Sequence, residues 1–338
     1  MDKPHFVVIG NGPAGNQAAL TLRELDPDAR ITLISKHLGG CFHPYLLPRM
    51  ISGEISEEDI YLYSPSSYKE NNIKFRKGQE VVRLDLERHE IYMDHKEVLR
   101  FDGLIIAVGG KPRIPENLAV FSDILYTLKN PGDAGKWIQR LKSVESVLMI
   151  GGDLTSFALT KALLSMRKNI WFMFDEEAFW PVRFNEKLWE DASCRLAGLG
   201  VNVLPLSRIE SLSVINENEV RIEMGGEAIC VGMIGAFFGL MPDIRFLAGS
   251  GLKIDRGILV DEYLNTGFAS VYAAGDCAQI YHPELQDYWV SIGHENALGL
   301  GRIAAMNLVG ANIKTEVDQR SVFQVQGVNV NTSWWMEF

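Results

Sequence analysis

Near the start of the chain, IGNGPAG spaces three glycines at Gly10, Gly12 and Gly15, with Pro13 and Ala14 inside the same loop. That spacing suits the seating of a dinucleotide pyrophosphate. Gly10 permits a tight turn, Gly12 has no side chain to hold the backbone off the diphosphate, and Gly15 lets the next helix lie close on its strand. The anion then rests on free N–H groups at the helix N-terminus. A second glycine turn opens at Gly151 in GGDLTS, but Asp153 and Ser156 stand where the second and third glycines belong. A carboxylate beside a pyrophosphate is repelled by roughly 4 kcal/mol at about 4 Å and an effective dielectric near 20, which is about three decades of affinity. Ser156 is expected to hold its helix slightly off the strand. Asp175 and Glu176 sit where an acid takes the ribose 2′-hydroxyl of NADH and rejects the 2′-phosphate of NADPH. The second turn therefore reads either as a working NADH site or as a vestigial nucleotide domain. Cys41, Cys194, Cys230 and Cys277 form no CxxC, and His5, His37, His89, His95 and His282 show no metal-ligand spacing. No metal is expected, and redox chemistry must use a borrowed cofactor.

The elements that position these residues repeat. FVVIGNGPAGNQAALTLREL from Phe6 and VLMIGGDLTSFALTKALLSM from Val147 each give an apolar strand, a glycine-led turn and an Ala/Leu-rich helix. A second strand follows each, ARITLIS ending at Ser35 and NIWFMF ending at Phe174. The near-equal spacing from Gly10 to Ser35 and from Gly151 to Asp175 implies two dinucleotide-type units. Further buried strands are expected from Leu104, from Gly235, and from Ser270 into Gly275 and Asp276. GEISEEDI is read as a helix start capped by Ser56. With 338 residues, 47% hydrophobic and 22% charged, the chain is globular, and its formal charge of -10 argues against nucleic-acid and anionic-membrane partners. The longest apolar run, Val231 to Met241, is about half of what a spanning helix needs. MDKPHFVVIGNG lacks the features of a signal peptide, so the expected address is cytoplasmic.

IGNGPAG, AVGGKPRIP from Ala107, the turn near Gly151, GLMPD from Gly239 and VYAAGDC from Val271 stand in an order that resembles the FAD-dependent pyridine nucleotide-disulfide oxidoreductase superfamily. The likeness is greatest to its NADH oxidase, rubredoxin reductase and nitrite reductase flavoprotein branch. It implies FAD in the first unit and NADH in the second. By the same resemblance Asp276 bonds the ribitol of FAD, and a helix after Cys277 points its positive end at the flavin. Ala107, Val108 and Gly109 pass close to the cofactor, and Val81 or Val82 meets the adenine through main-chain atoms. Ser35, followed by Lys36, replaces the acid that the family often places on the adenosine ribose, at a cost of ~1 kcal/mol. The family's redox cysteine falls at Tyr45, with Cys41 four residues early, so no thiol chemistry is expected and Cys41 reads as a buried small hydrophobe. Pro44 and Tyr45 then line the isoalloxazine, with Tyr45 a gate, a proton donor or a packing aromatic. Gly293 and His294 precede a helix resembling the one near the flavin pyrimidine, where a positive group stabilises reduced flavin. His43 is the other histidine expected there.

The sequence thus implies an α/β protein with two Rossmann-like dinucleotide-binding domains. The FAD domain is expected at 1–113 and 250–310, interrupted by an NAD(H)-binding-like domain at 114–249. Residues 311–338 are read as a remnant of the family's interface domain, in which Trp334 and Trp335 either anchor a partner or pack on the chain's own surface. The expected activity is NADH:acceptor oxidoreduction through FAD, passing electrons to a redox protein or an iron–sulfur subunit of a complex. Two alternatives remain open: a non-catalytic FAD-binding electron-transfer subunit with a vestigial NAD site, and a thiol-dependent disulfide or peroxide reductase using Cys41.

Overall fold

The computed structural model describes residues 3–174, 186–205, 209–284 and 286–315. Two compact units emerge. Of the described residues, the first takes 3–43, 61–111, 241–284 and 286–315, and the second takes the remainder.

In the first unit five parallel strands stand in the order Val271–Ala273, Gly103–Ile106, His5–Ile9, Arg30–Ser35, Lys74–Lys77. His5–Ile9 is buried at every position, as a central parallel strand covered on both faces requires. The opening helix Pro13–Leu25 follows, with proline in its first turn, where a missing N–H costs nothing. Its buried face is Ala14, Gly15, Ala18, Ala19 and Leu22, mostly small. That smallness lets the helix His294–Leu308 approach closely, since a Cβ on Gly301 would lie 2.1 Å from the Ala14 carbonyl oxygen. Three antiparallel strands, Val81–Asp85, Glu90–Met93 and Val98–Arg100, which the sequence reading did not foresee, complete this unit's larger additions.

The second unit repeats the plan with parallel strands in the order Asn202–Leu204, Asn169–Met173, Ser146–Gly151, Met233–Phe237, Leu125–Tyr126. Its helix Leu154–Ser165 follows the central strand. Phe157, Phe172 and Phe174 pack around it with ring centroids 5.1–6.1 Å apart. The antiparallel sheet Ser211–Asn216, Glu219–Met224, Glu227–Val231 was likewise unforeseen.

The units are bounded differently from the expected domains in several places, with Pro112 and Arg113 in the second unit and 311–315 in the first. Residues 44–60 belong to the second unit, because the short helix Leu47–Ile51 buries Leu47, Met50 and Ile51 there and packs on Pro131–Leu141 and Leu154–Ser165. The chain returns to the first unit at Met241 rather than at 250. The helix capped by Ser56 does not form: only a 3-10 turn, Glu58–Ile60, is present, and the Ser56 amide and hydroxyl donate to Asp59 instead. Among the described residues, no helix is long and apolar enough to cross a membrane.

Candidate functional site

The parallel sheet of the first unit delivers Gly10 to the end of its central strand. Gly10 has φ +107°, and a Cβ there would stand 2.2 Å from the Ala107 carbonyl oxygen, so only glycine fits both the conformation and the space. Gly15 is held as tightly, its Cβ position 1.9 Å from the Gly10 carbonyl. Gly12 is the opposite case. It is the N-cap of Pro13–Leu25, no side chain caps the helix there, and a Cβ would meet nothing within 4 Å. The N–H groups of Ala14 and Gly15 belong to the first turn, which has no intrahelical acceptors, and the space before Gly12 is clear. That is the cradle a diphosphate needs, and the residues present fit FAD.

Around this cradle the sheet ends bring several expected residues together. Val271–Ala273 pairs with Gly103–Ile106, and the Ala274 amide donates to the Ile106 carbonyl at 3.0 Å. Asp276 and Ala107 therefore leave adjacent strands on the same sheet edge as Gly10. Gly275 (φ +76°) makes the turn, and its Cβ would meet the Ala14 Cβ at 2.9 Å, placing Asp276 beside the opening helix. Ala107 is buried, and Gly109 (φ +61°) turns the chain after Val108. Val81 is buried and Val82 is 48% exposed. Ser35 is buried; its hydroxyl accepts from the His37 amide and its carbonyl from the Gln79 amide. Lys36 pairs with Asp243 at 2.6 Å, which holds the Asp243 carboxyl below its ordinary range.

Two expectations in this unit are corrected. No helix follows Cys277. After the 3-10 turn Gly275–Cys277 the chain forms the strand Ala278–His282, whose backbone pairs with Ile258–Val260 on one side and Asp287–Val290 on the other. The helix starts only at His294, after Gly293 (φ +123°), again with no side-chain cap. The surroundings of His294 also work against the positive imidazole expected there. Burial, then repulsion from His43, whose ring centroid lies 4.9 Å away, holds His294 below its ordinary value, against a smaller opposing effect of Glu295. These effects favour its neutral form, and the helix end itself adds positive potential here.

Sequence reasoning missed the network behind the glycine loop. The hydroxyl of Tyr68, a fully buried residue, lies 2.7 Å from Asn11 Oδ1 and 2.8 Å from Asn16 Oδ1, while accepting from the Cys41 amide at 3.2 Å. Asn11, lodged between Gly10 and Gly12, was the available signal; Tyr68 had none, being 57 positions away in sequence. Cys41 is fully buried, and desolvation pushes its thiol to about 12. Such a group is neither a thiolate nor exposed. Pro44 and Tyr45 lie in the second unit, in the 3-10 turn Pro44–Leu46, with Tyr45 57% exposed.

The second unit has the same strand and turn but a different helix end. Gly151 (φ +93°) is locked as Gly10 is, its Cβ position 1.9 Å from the Phe237 carbonyl, and Gly239 (φ +76°) accepts from the Arg113 amide through its carbonyl. Asp153, however, is not a loose side chain on the turn, and its carboxylate lies on the helix end itself. It is the N-cap of Leu154–Ser165 and its carboxylate accepts from the Ser156 amide at 2.9 Å. Ser156 is fully buried, and its hydroxyl donates to the Asp153 carbonyl. Asp175, Glu176, Trp334 and Trp335 lie outside the described residues. Among the described residues, no cluster of three metal-ligating side chains occurs.

Comparison with known proteins agrees with this geometry. Residues 4–295 match the pyridine nucleotide-disulphide oxidoreductase family. Putidaredoxin reductase of Pseudomonas putida is 24% identical over 326 residues, covering 90% of this chain and 74% of the relative. The ferredoxin–NAD(+) reductase component of 3-phenylpropionate/cinnamic acid dioxygenase from Photorhabdus laumondii is 26% identical over 307 residues, covering 90% and 77%. The structure of the water-forming NADH oxidase from Lactobacillus brevis bound to NADH superposes with a TM-score of 0.83 at 18% identity, covering 92% of this chain and 71% of that one.

Proposed function

The chain belongs to the pyridine nucleotide-disulphide oxidoreductase family, whose members are FAD-dependent NAD(P)H oxidoreductases, and from that premise we propose that it carries electrons from NADH through FAD to a separate redox protein. The observation that carries this reading is the first unit's helix end, capped by Gly12 and open to a diphosphate. When bound, FAD would supply hydride acceptance from NADH and one- or two-electron release. In this reading Ala14 and Gly15 bind its diphosphate by their amides, Asp276 orients the ribitol, and Ala107 to Gly109 close the cofactor in. Ser35 takes a ribose hydroxyl, with one charge-assisted contact fewer than a carboxylate gives. The uncapped end of His294–Leu308 supports negative charge on the flavin, and His294, beside His43, is the titratable group at that end.

Two observations support a separate acceptor over an internal thiol. Cys41 is buried with its thiol pushed to about 12, and Cys277 is also buried, its thiol pushed to about 11 by desolvation. The two relatives described above are reductases named for putidaredoxin and ferredoxin, so an iron–sulfur protein or subunit is the proposed acceptor. The cysteines are free, which suits a reducing cytoplasm. One observation favours a second reading, a non-catalytic FAD-binding subunit: Asp153 already fills the second helix end. Anaerobic mixing of the yellow holoprotein with NADH separates the two. Rapid bleaching of the flavin is expected; a spectrum unchanged over minutes would refute the catalytic reading.

A further inference from the structure

The two units present the same anion-binding device in opposite states. Gly12 and Asp153 occupy the same position, the N-cap after a strand ending in a positive-φ glycine. At Gly12 the helix end is open, whereas at Asp153 the chain's own carboxylate lies on it, 2.9 Å from the Ser156 amide. A diphosphate taking that end must either displace the carboxylate or share the space with it.

We propose that Asp153 is an internal ligand of the second unit's dinucleotide site, and that NAD+ or NADH binds there only with Asp153 neutralised by uptake of one proton from solvent. The inference rests on the reading of the second unit as the NADH site. The surroundings of Asp153 make neutralisation accessible. Although the residue keeps partial solvent access, desolvation raises its carboxyl to about 6, against the opposing backbone bonds of Ser156, Gly239 and Thr155. Among the described residues, Lys129 is the charge that favours its ionised form. Asp133, in the helix Pro131–Leu141, accepts from the Lys129 amide and the Asn130 side chain at that helix's own N-terminus. The packed helix Leu47–Ile51 contributes Arg49, tied to Glu54 at 2.7 Å. Neutral Asp153 still offers a carbonyl oxygen to Ser156, so the helix end survives protonation, and only the charge facing the incoming phosphate disappears.

The sign follows from linkage. If the bound state holds Asp153 protonated and the free state releases that proton above its pKa, affinity is level on the acid side and falls about tenfold for each pH unit on the alkaline side. The test is NAD+ titration of the FAD-loaded protein by calorimetry in two buffers of different ionisation enthalpy, from mildly acidic to mildly alkaline pH. Asp153→Asn keeps the cap acceptor without the charge, and Asp153→Gly copies the first unit. Wild type should take up close to one proton per NAD+ on the alkaline side and weaken by about a hundredfold over two pH units. Both variants should bind NAD+ with no proton uptake and no such slope, and their kinetic change should fall on KM for NADH rather than on the limiting rate of flavin reduction. Coinciding pH curves for wild type and Asp153→Asn, with no proton uptake by either, overturn the inference while leaving the NADH reading intact. Absence of NAD+ binding by all three proteins at every pH overturns the NADH reading and the inference with it.

Discussion

Gly12→Asp transplants the second unit's carboxylate onto the first unit's helix end. Gly12 has φ -78° and ψ -176°, which any residue adopts, and no atom lies within 4 Å of its Cβ position, so the side chain enters without strain. As an N-cap, Asp is better than Gly by a few tenths of a kcal/mol, so the apoprotein should melt at or slightly above the wild-type temperature. FAD is affected far more. A carboxylate about 4 Å from the diphosphate costs roughly 4 kcal/mol at an effective dielectric near 20, which is about three decades in Kd. Gly12→Ala, which adds a methyl group and no charge, should fall between the two. The assay is quenching of FAD fluorescence on titration with apoprotein, paired with thermal unfolding of the apoproteins. Wild-type FAD affinity in a folded Gly12→Asp protein would show that the diphosphate does not sit on this helix end.

Tyr68→Phe removes the hydroxyl shared by Asn11, Asn16 and the Cys41 amide; leaving these buried groups unpaired should cost about 1–3 kcal/mol in denaturant unfolding and weaken FAD by loosening the loop around Gly12. Cys41→Ala should leave NADH-driven reduction of an external acceptor unchanged, and in the native protein alkylation mapped by peptide should be slow at buried Cys41 under alkaline conditions in which exposed Cys194 reacts. For His294 the folded state holds the imidazole below its ordinary value of 6.5, so on acidification through that value the unfolded chain takes up a proton before the folded one does. Stability is therefore lost as pH falls below 6.5, and His294→Gln should flatten that acid limb in a series of urea midpoints.

Sequence made most of the positional scaffold legible because the signals are local. Continuous apolar runs ending in glycine found the strands His5–Ile9 and Ser146–Gly151 and the helices after them, and the motif at Gly10, Gly12 and Gly15 found the open helix end. What escaped depends on groups far apart in the chain. Tyr68 reaches Asn11 across the fold, and the strand after Cys277 is set by pairing with Asp287–Val290, which overrode the helix expected from resemblance. In the three-stranded antiparallel additions the first strands, Val81–Asp85 and Ser211–Asn216, do not alternate regularly between buried and exposed positions, so they left little pattern to read. Asp153 was legible as a misfit carboxylate, but its role was not: a sequence shows a charge, and only the fold shows that its partner is an amide three residues later. The residues at 44–60 were assigned by continuity, whereas the burial of Leu47 and Met50 decides their unit.

The account stands most directly on how many flavins the chain holds and where. Apoprotein saturated with FAD, freed of excess and assayed for bound flavin should carry one FAD per chain, and a structure of that complex should show its diphosphate on the Ala14 and Gly15 amides with Asp276 on the ribitol. A chain that stays colourless, or a diphosphate lodged elsewhere, would contradict it.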